Sequence, residues 1–270
     1  MSNRIDLVLS ACRREGRAAL VGYLTAGDPN PVDSERLLLA LASQVDLLEI
    51  GMPFSDPMAD GAVIQAASER ALAAGTESRD LFHLLTKVRS SYPQLAIVLM
   101  GYGNSALAIG MESFAEQAAA GGADGVLLVD IPPEEGAICD DILRQQGLQR
   151  ILLLTPTSPA ERMRRVADCA SGFIYYVSLT GTTGASMGSV ESIKRRVADI
   201  GRVSSLPVCV GFGVKTVEQA AQIAAVADGV VVGSRFVTLI AEHLDDLEEA
   251  EQRLLAEAMS MRKAMVKEGV

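Results

Sequence analysis

Short apolar runs recur along the chain, with longer amphipathic stretches between them. The runs cover residues 19–24, 46–50, 96–101, 125–130, 150–155, 173–178, 207–211 and 229–233. Most are rich in Val, Leu and Ile without polar alternation, the pattern of parallel strands covered on both faces. The segments 32–43, 111–120, 134–146, 160–169, 190–200 and 216–225 carry apolar positions at helical spacing, and several follow a Ser, Thr, Asp or Pro suited to a helix start. Strand–helix alternation at intervals of about 25 to 30 residues predicts one (β/α)8 barrel, a TIM barrel, over residues 1–270 as a single domain. A doubly wound open sheet is the alternative topology. Further helical stretches at 2–15, 77–91 and 245–267 add extra helices at the N-terminus, after the second strand and at the C-terminus. In the last of these, Leu247, Leu254, Ala258, Met261 and Met265 share one face, as expected for packing against the barrel.

At 270 residues and 49% hydrophobic content the chain can bury one large core. A formal charge of -10, with no clustered run of Lys and Arg, argues against a nucleic-acid or anionic-membrane surface. A small anion remains an acceptable ligand, because local backbone amides outweigh net charge. The first residues carry scattered charges at Arg4, Asp6, Arg13, Arg14 and Glu15, which leaves no apolar stretch for a signal peptide. Without a run of roughly 18 apolar residues for a membrane span, a cytoplasmic location is expected. Cys12, Cys139, Cys169 and Cys209 are dispersed without C-x-x-C spacing, so reduced, buried thiols are expected rather than disulfides or a metal site.

In a barrel of this kind the chemistry sits at the C-terminal ends of the strands. After the second run comes Glu49-Ile50-Gly51-Met52-Pro53-Phe54-Ser55-Asp56-Pro57-Met58-Ala59-Asp60-Gly61. Strand alternation puts Glu49 on the face opposite Leu48 and Ile50, aimed into the barrel mouth among apolar walls. A desolvated carboxylate there has a raised pKa and can exchange protons near neutral pH. The competing reading is a strand-end carboxylate tied to a lysine or a backbone amide. Asp60, taken alone, reads as an N-cap for a following helix. Phe54 and Met58 are apolar for a loop, and suit either an interface or a fold-back onto the barrel.

Three clusters of small residues follow the sixth, seventh and eighth runs. They are Leu179-Thr180-Gly181-Thr182-Thr183-Gly184-Ala185-Ser186-Met187-Gly188, Gly211-Phe212-Gly213 and Gly233-Ser234. Each could be an ordinary turn, but in that order they suit a phosphate held by backbone amides. The run 179–188 is also long and small enough for a mobile lid. His83 and His243 fall in helical patterns away from the strand ends. With no Ser/His/Asp arrangement, no metal-ligand spacing and no G-x-G-x-x-G turn, hydrolase, metalloenzyme and dinucleotide readings weaken.

The segment from Leu48 to Gly61 resembles the signature of the tryptophan synthase α subunit family. Thr25-Ala26-Gly27-Asp28-Pro29, Met100-Gly101-Tyr102, Asp130-Ile131-Pro132-Pro133-Glu134-Glu135 and Tyr175-Tyr176-Val177-Ser178 support the resemblance, as do the glycine clusters. It runs in order from about residue 4 to 243. The resemblance implies retro-aldol cleavage of indole-3-glycerol phosphate to indole and glyceraldehyde 3-phosphate. It makes Glu49 and Asp60 catalytic, Glu49 as acid/base and Asp60 as partner of the indole N–H. It places Tyr23, Met100, Tyr102, Leu127, Tyr175, Thr183 and Phe212 around the substrate, with Thr183 holding the lid against Asp60. Gly184, Gly213, Gly233 and Ser234 would bind the phosphate.

The resemblance further implies an α2β2 heterotetramer with a pyridoxal-phosphate-dependent β subunit, which consumes the indole. The cofactor sits on that partner, so none is expected on this chain. Pro53, Phe54, Asp56, Pro57 and Asn104 would face the partner. The chain departs from the family pattern at Gly22, Ala62 and Ser105, where proline is frequent, and the last two changes enlarge backbone freedom. Two rivals stand beside this reading. One is another phosphate-binding barrel, a phosphosugar isomerase or an indole-glycerol-phosphate synthase, although a synthase would carry a lysine at a strand end. The other is a catalytically feeble subunit whose work is to activate a β partner.

Overall fold

The computed structural model describes residues 3–178, 189–211 and 213–266. Strands β1 (Ala19–Thr25), β2 (Leu47–Gly51), β3 (Ala96–Gly101), β4 (Gly125–Leu128), β5 (Gln149–Arg150), β6 (Leu152–Leu154), β7 (Ile174–Val177), β8 (Val208–Gly211) and β9 (Gly229–Val232) form one parallel sheet in the order β5-β4-β3-β2-β1-β9-β8-β7-β6. The two ends of that order, β5 and β6, are consecutive pieces of the single expected run 150–155. Ile151 joins them and donates its amide to Val126 O at 3.0 Å, while Arg150 O on the other side accepts from Ser171 N at 2.9 Å. The sheet therefore closes on itself to within this one strand, and the open-sheet alternative falls. The strand is divided because its first half pairs with β4 and its second half with β7.

Twelve α-helices surround the strands among the described residues: α1 (Arg4–Arg14), α2 (Pro31–Ala42), α3 (Ala62–Ala73), α4 (Ser78–Ser91), α5 (Gly103–Ile109), α6 (Met111–Gly121), α7 (Asp140–Gln145), α8 (Ala160–Cys169), α9 (Val190–Gly201), α10 (Val217–Ala224), α11 (Ser234–Ala241) and α12 (Leu247–Ala264). The three extra helices expected from the pattern are α1, α4 and α12. In α12, Leu254, Ala258 and Met261 are fully buried, as is Met265 just beyond it, while Leu247 is half-buried. The short helices α5 and α11 are not legible in the apolar periodicity, because seven or eight residues show two turns at most.

The expected helix at 134–146 is corrected to a 3-10 turn, Pro133–Ile138, followed by α7. The break follows from Arg150, whose guanidinium bonds Ile131 O, Pro132 O and the Asp140 carboxylate. The chain packs so tightly over it that a Cβ at Gly136 would lie 2.2 Å from Asp140 and 2.6 Å from Arg150.

The N-terminal end of the barrel is closed by α1, whose Ile5, Leu9 and Cys12 are buried. Aspartates that immediately precede strands tie this end together. Asp46 accepts from Leu20 N, Asp124 from Ile97 N and Asp228 from Val208 N, each at 2.9 Å. Arg17 and Arg262 pair with Asp46, and Arg4 and Arg89 with Asp124. No helix among the described residues is long and apolar enough to cross a membrane.

Candidate active site

Which face of β2 looks inward follows from the neighbouring strand. A Cβ at Gly22 would lie 2.8 Å from Val45 and 3.0 Å from Leu41 of α2, so that side of β1 faces the helices. Tyr23 therefore faces the interior, and it stands in register with Glu49, which in turn stands opposite Val98 of β3. Leu41 and Val45 also account for glycine at 22, because they fill the space a larger residue would take.

Glu49 is 1% exposed, and neither carboxylate oxygen has a hydrogen-bond partner among the described residues. A tie to a lysine or an amide is therefore not what the structure places there. Burial first, and the charge of Asp60 second, push its pKa up to about 8 from the ordinary 4.5. The pKa matches the demands of proton exchange near neutral pH.

Asp60 lies in the loop between β2 and α3. The N-cap of α3 is Gly61, so the capping reading of Asp60 is corrected. The Asp60 carbonyl accepts from Gln65 Nε2 at 2.9 Å. Its Oδ2 accepts from Tyr102 Oη at 3.0 Å, and the same hydroxyl accepts from Ala59 N at 2.9 Å. Burial raises the Asp60 pKa above the ordinary value, and the bond from Tyr102 works against that rise.

Of the expected pocket walls, Tyr23, Met100, Leu127 and Tyr175 are buried on the strands. Met100 stands in register with Gly51 and Leu127, and all three are buried. The Tyr23 hydroxyl lies 3.2 Å from Thr25 Oγ1. Burial, then the nearby carboxylates, push both Tyr23 and Tyr175 well above the ordinary tyrosine value, so both stay neutral. Each phenol crosses a strand-end glycine. A Cβ at Gly51 would meet Tyr23 Oη at 2.1 Å, and one at Gly211 would meet Tyr175 Oη at 2.6 Å. A Cβ at Gly233 would likewise meet the Tyr23 ring, at 3.2 Å. Sequence reading assigns such glycines to phosphate or to turns; making room for a tyrosine is a role the pattern does not reveal.

Of the expected phosphate ligands, Gly213 has φ +94°, a conformation suited to glycine, and Gly233 is the N-cap of α11. Ser234 opens that helix, whose first intrahelical bond runs from Val237 N to Gly233 O. The earlier amides are thus available to an anion. Arg235 adds no charge to them, since its guanidinium pairs with Glu257 of α12. Thr183, Gly184 and Phe212, together with the expected lid 179–188, lie outside the described residues.

On the expected partner face, Phe54 folds back: its ring stacks on Tyr102 at 5.1 Å between centroids, with 28° between planes. Pro53 and Pro57 are half-buried, Asp56 and Asn104 are exposed, and Met58 is 84% exposed. Asp130 stands in the Asp-Ile-Pro-Pro motif, and the sequence pattern alone assigns it no role. It accepts from Gly103 N at 2.6 Å and fixes the start of α5, directly after Tyr102. Ser105 donates its amide to Tyr102 O at 3.1 Å, a bond that a proline there would lack. No group that could hold a metal occurs among the described residues. His83 is exposed, and His243 bonds Leu239 O.

The family model for the tryptophan synthase alpha chain matches residues 9–266. A tryptophan synthase alpha chain from Nitrosococcus oceani is 47% identical over 264 residues, covering 97% of each chain. One from Geobacter sulfurreducens is 51% identical over 238 residues, covering 88% of this chain and 90% of the relative. Among solved structures, the alpha subunit from Legionella pneumophila superposes with a TM-score of 0.90 at 39% identity, covering 98% of this chain and 99% of that one.

Proposed function

The chain belongs to the tryptophan synthase alpha chain family, and from that premise we propose how its own residues carry out the family's reaction. The reaction is the retro-aldol cleavage of indole-3-glycerol phosphate to indole and glyceraldehyde 3-phosphate. Protonated Glu49 delivers its proton to indole C3, which leaves positive charge spread toward the ring nitrogen. Ionised Asp60 accepts a hydrogen bond from the indole N–H and stabilises that charge. Glu49, now a carboxylate, takes the proton of the glycerol hydroxyl as the bond from C3 to the glycerol carbon breaks. The bond's electrons return to the ring, indole and aldehyde separate, and Glu49 is protonated again.

The observation that carries this reading is Glu49 itself: buried, without a hydrogen-bond partner among the described residues, and poised near neutrality beside a second carboxylate. Tyr23, Met100, Leu127, Tyr175 and Phe212 would wall the indole. Gly213, Gly233, Ser234 and Gly184 would take the phosphate, and Thr183 would close against Asp60. Residues 1–270 are read as one domain that needs no cofactor of its own and works in the cytoplasm. Its partner is the tryptophan synthase β subunit, in an α2β2 assembly, where the pyridoxal phosphate resides. The exposed edge at Asp56, Met58 and Asn104, with Pro53, Phe54 and Pro57 beneath it, is the surface offered to that partner.

The test is indole release from indole-3-glycerol phosphate, measured with and without added β subunit for wild type and Glu49→Gln. Turnover that rises with β and drops by about 10²-fold or more in the variant is expected. Substantial turnover in Glu49→Gln would sink the acid/base assignment. Activation of β with no lyase turnover would favour the feeble-subunit reading.

A further inference from the structure

We infer that Tyr102 is a positioning residue for the reaction: its hydroxyl fixes the Asp60 carboxylate and the neighbouring Ala59 amide at once, and so aims Asp60 at the indole N–H. This rests on the role proposed above for Asp60. The phenol is built into place from three sides. Its ring is stacked by Phe54, its carbonyl accepts from Ser105 N, and the residue after it is fastened by Asp130. The side chain is 3% exposed, so the hydroxyl has little access to water and must find its partners in the protein.

The hydrogen-bond arithmetic selects the charge state of Asp60. A phenol has one proton to donate. With Ala59 N donating to the oxygen, that proton goes to Asp60 Oδ2, which accepts it best as a carboxylate. The titratable groups facing Asp60 are Tyr102, Glu49, Tyr23 and Tyr175, and no Lys, Arg or His pairs with it among the described residues. Tyr102 is thus the group that opposes the burial of Asp60. The ionised Asp60 in turn helps to keep Glu49 protonated, so one hydroxyl supports both protonation states the cleavage needs.

Tyr102→Phe preserves the ring and its stack on Phe54 while deleting the hydroxyl. We expect kcat/KM for indole-3-glycerol phosphate to fall about tenfold to hundredfold, with the acidic limb of its pH profile moved to higher pH. The double variant Tyr102→Phe/Asp60→Asn should be no slower than Asp60→Asn alone, because Tyr102 acts through Asp60. Multiplying effects in that double variant would overturn the inference. So would an Asp60 carboxyl, followed by carbon NMR in Tyr102→Phe, that titrates where it does in wild type. If Asp60→Asn keeps full turnover, the role of Asp60 in catalysis fails instead, and the NMR titration still decides whether Tyr102 governs that carboxyl.

Discussion

Two buried carboxylates, Asp46 just before β2 and Glu49 in its middle, stand in opposite circumstances. Asp46, just before the strand, accepts from Arg17 Nη1 and Nη2 at 2.6 and 2.9 Å, Arg262 at 2.8 Å and Leu20 N at 2.9 Å. Burial alone would raise its pKa, but these bonds win and it stands below the ordinary value. Glu49, three positions on, has no such partner among the described residues and is pushed up to about 8. Burial is nearly equal, at 5% and 1% exposure, so partners rather than depth decide which carboxylate has a lowered pKa and which a raised one. Arginines also hold Asp124 at the N-terminal end and Asp28 just after β1, whereas none pairs with Glu49 or Asp60 among the described residues.

The largest effect that sharpens the contrast is Glu49→Gln, expected to abolish cleavage while leaving the fold intact. Next is Asp46→Asn, which leaves Arg17 with only the exposed Glu15 as counter-charge and should cost about 3 kcal/mol of stability. Its kcat should stay within about twofold of wild type, as befits a residue at the far end of the barrel from the chemistry. Urea unfolding and steady-state assays check both, and a variant of Asp46 that is stable but inactive would break the comparison.

The pH dependence of stability separates the two groups by sign. Glu49 has a folded pKa above its ordinary value, so the stability linked to it is complete below 4.5 and is lost as pH rises toward about 8. Asp46 has a lowered pKa, so its contribution is present above 3.8 and is lost as pH falls below that. Wild type should therefore lose stability relative to Glu49→Gln, at up to about 1.4 kcal/mol per pH unit, between those Glu49 limits. A constant difference across that range would remove the raised pKa from the account.

The smallest effect concerns the anion. On the proposed reading the phosphate is met by neutral donors, Arg235 at the start of α11 being paired with Glu257. Ser234→Ala should raise KM about three- to tenfold with kcat nearly unchanged, the loss of one donor among several. A fall in kcat of the same size would mean that Ser234 acts in the transition state instead.

Much of this was written in the chain. The eight apolar runs give the parallel barrel because strands buried on both faces need continuous apolar residues, and the segment from Leu48 to Gly61 marks the reactive end. The face of Glu49 also follows from strand alternation alone. The helix at 134–146 misled because periodicity is blind to Arg150, a residue from the next strand whose guanidinium occupies the space beneath Gly136. Asp60 looked like a cap because capping is a local rule, and its engagement with Tyr102 spans 42 positions.

The sequence by itself determined the order of the strands and longer helices and the family, since these depend on local pattern and motif. Only the tertiary structure decided that Asp46 is saturated while Glu49 is left unpaired among the described residues, that Tyr23 and Tyr175 lie over glycines, and that Tyr102 rather than a helix claims Asp60. Those outcomes depend on which side chains converge from distant parts of the chain, and a buried charge takes its properties from the groups around it.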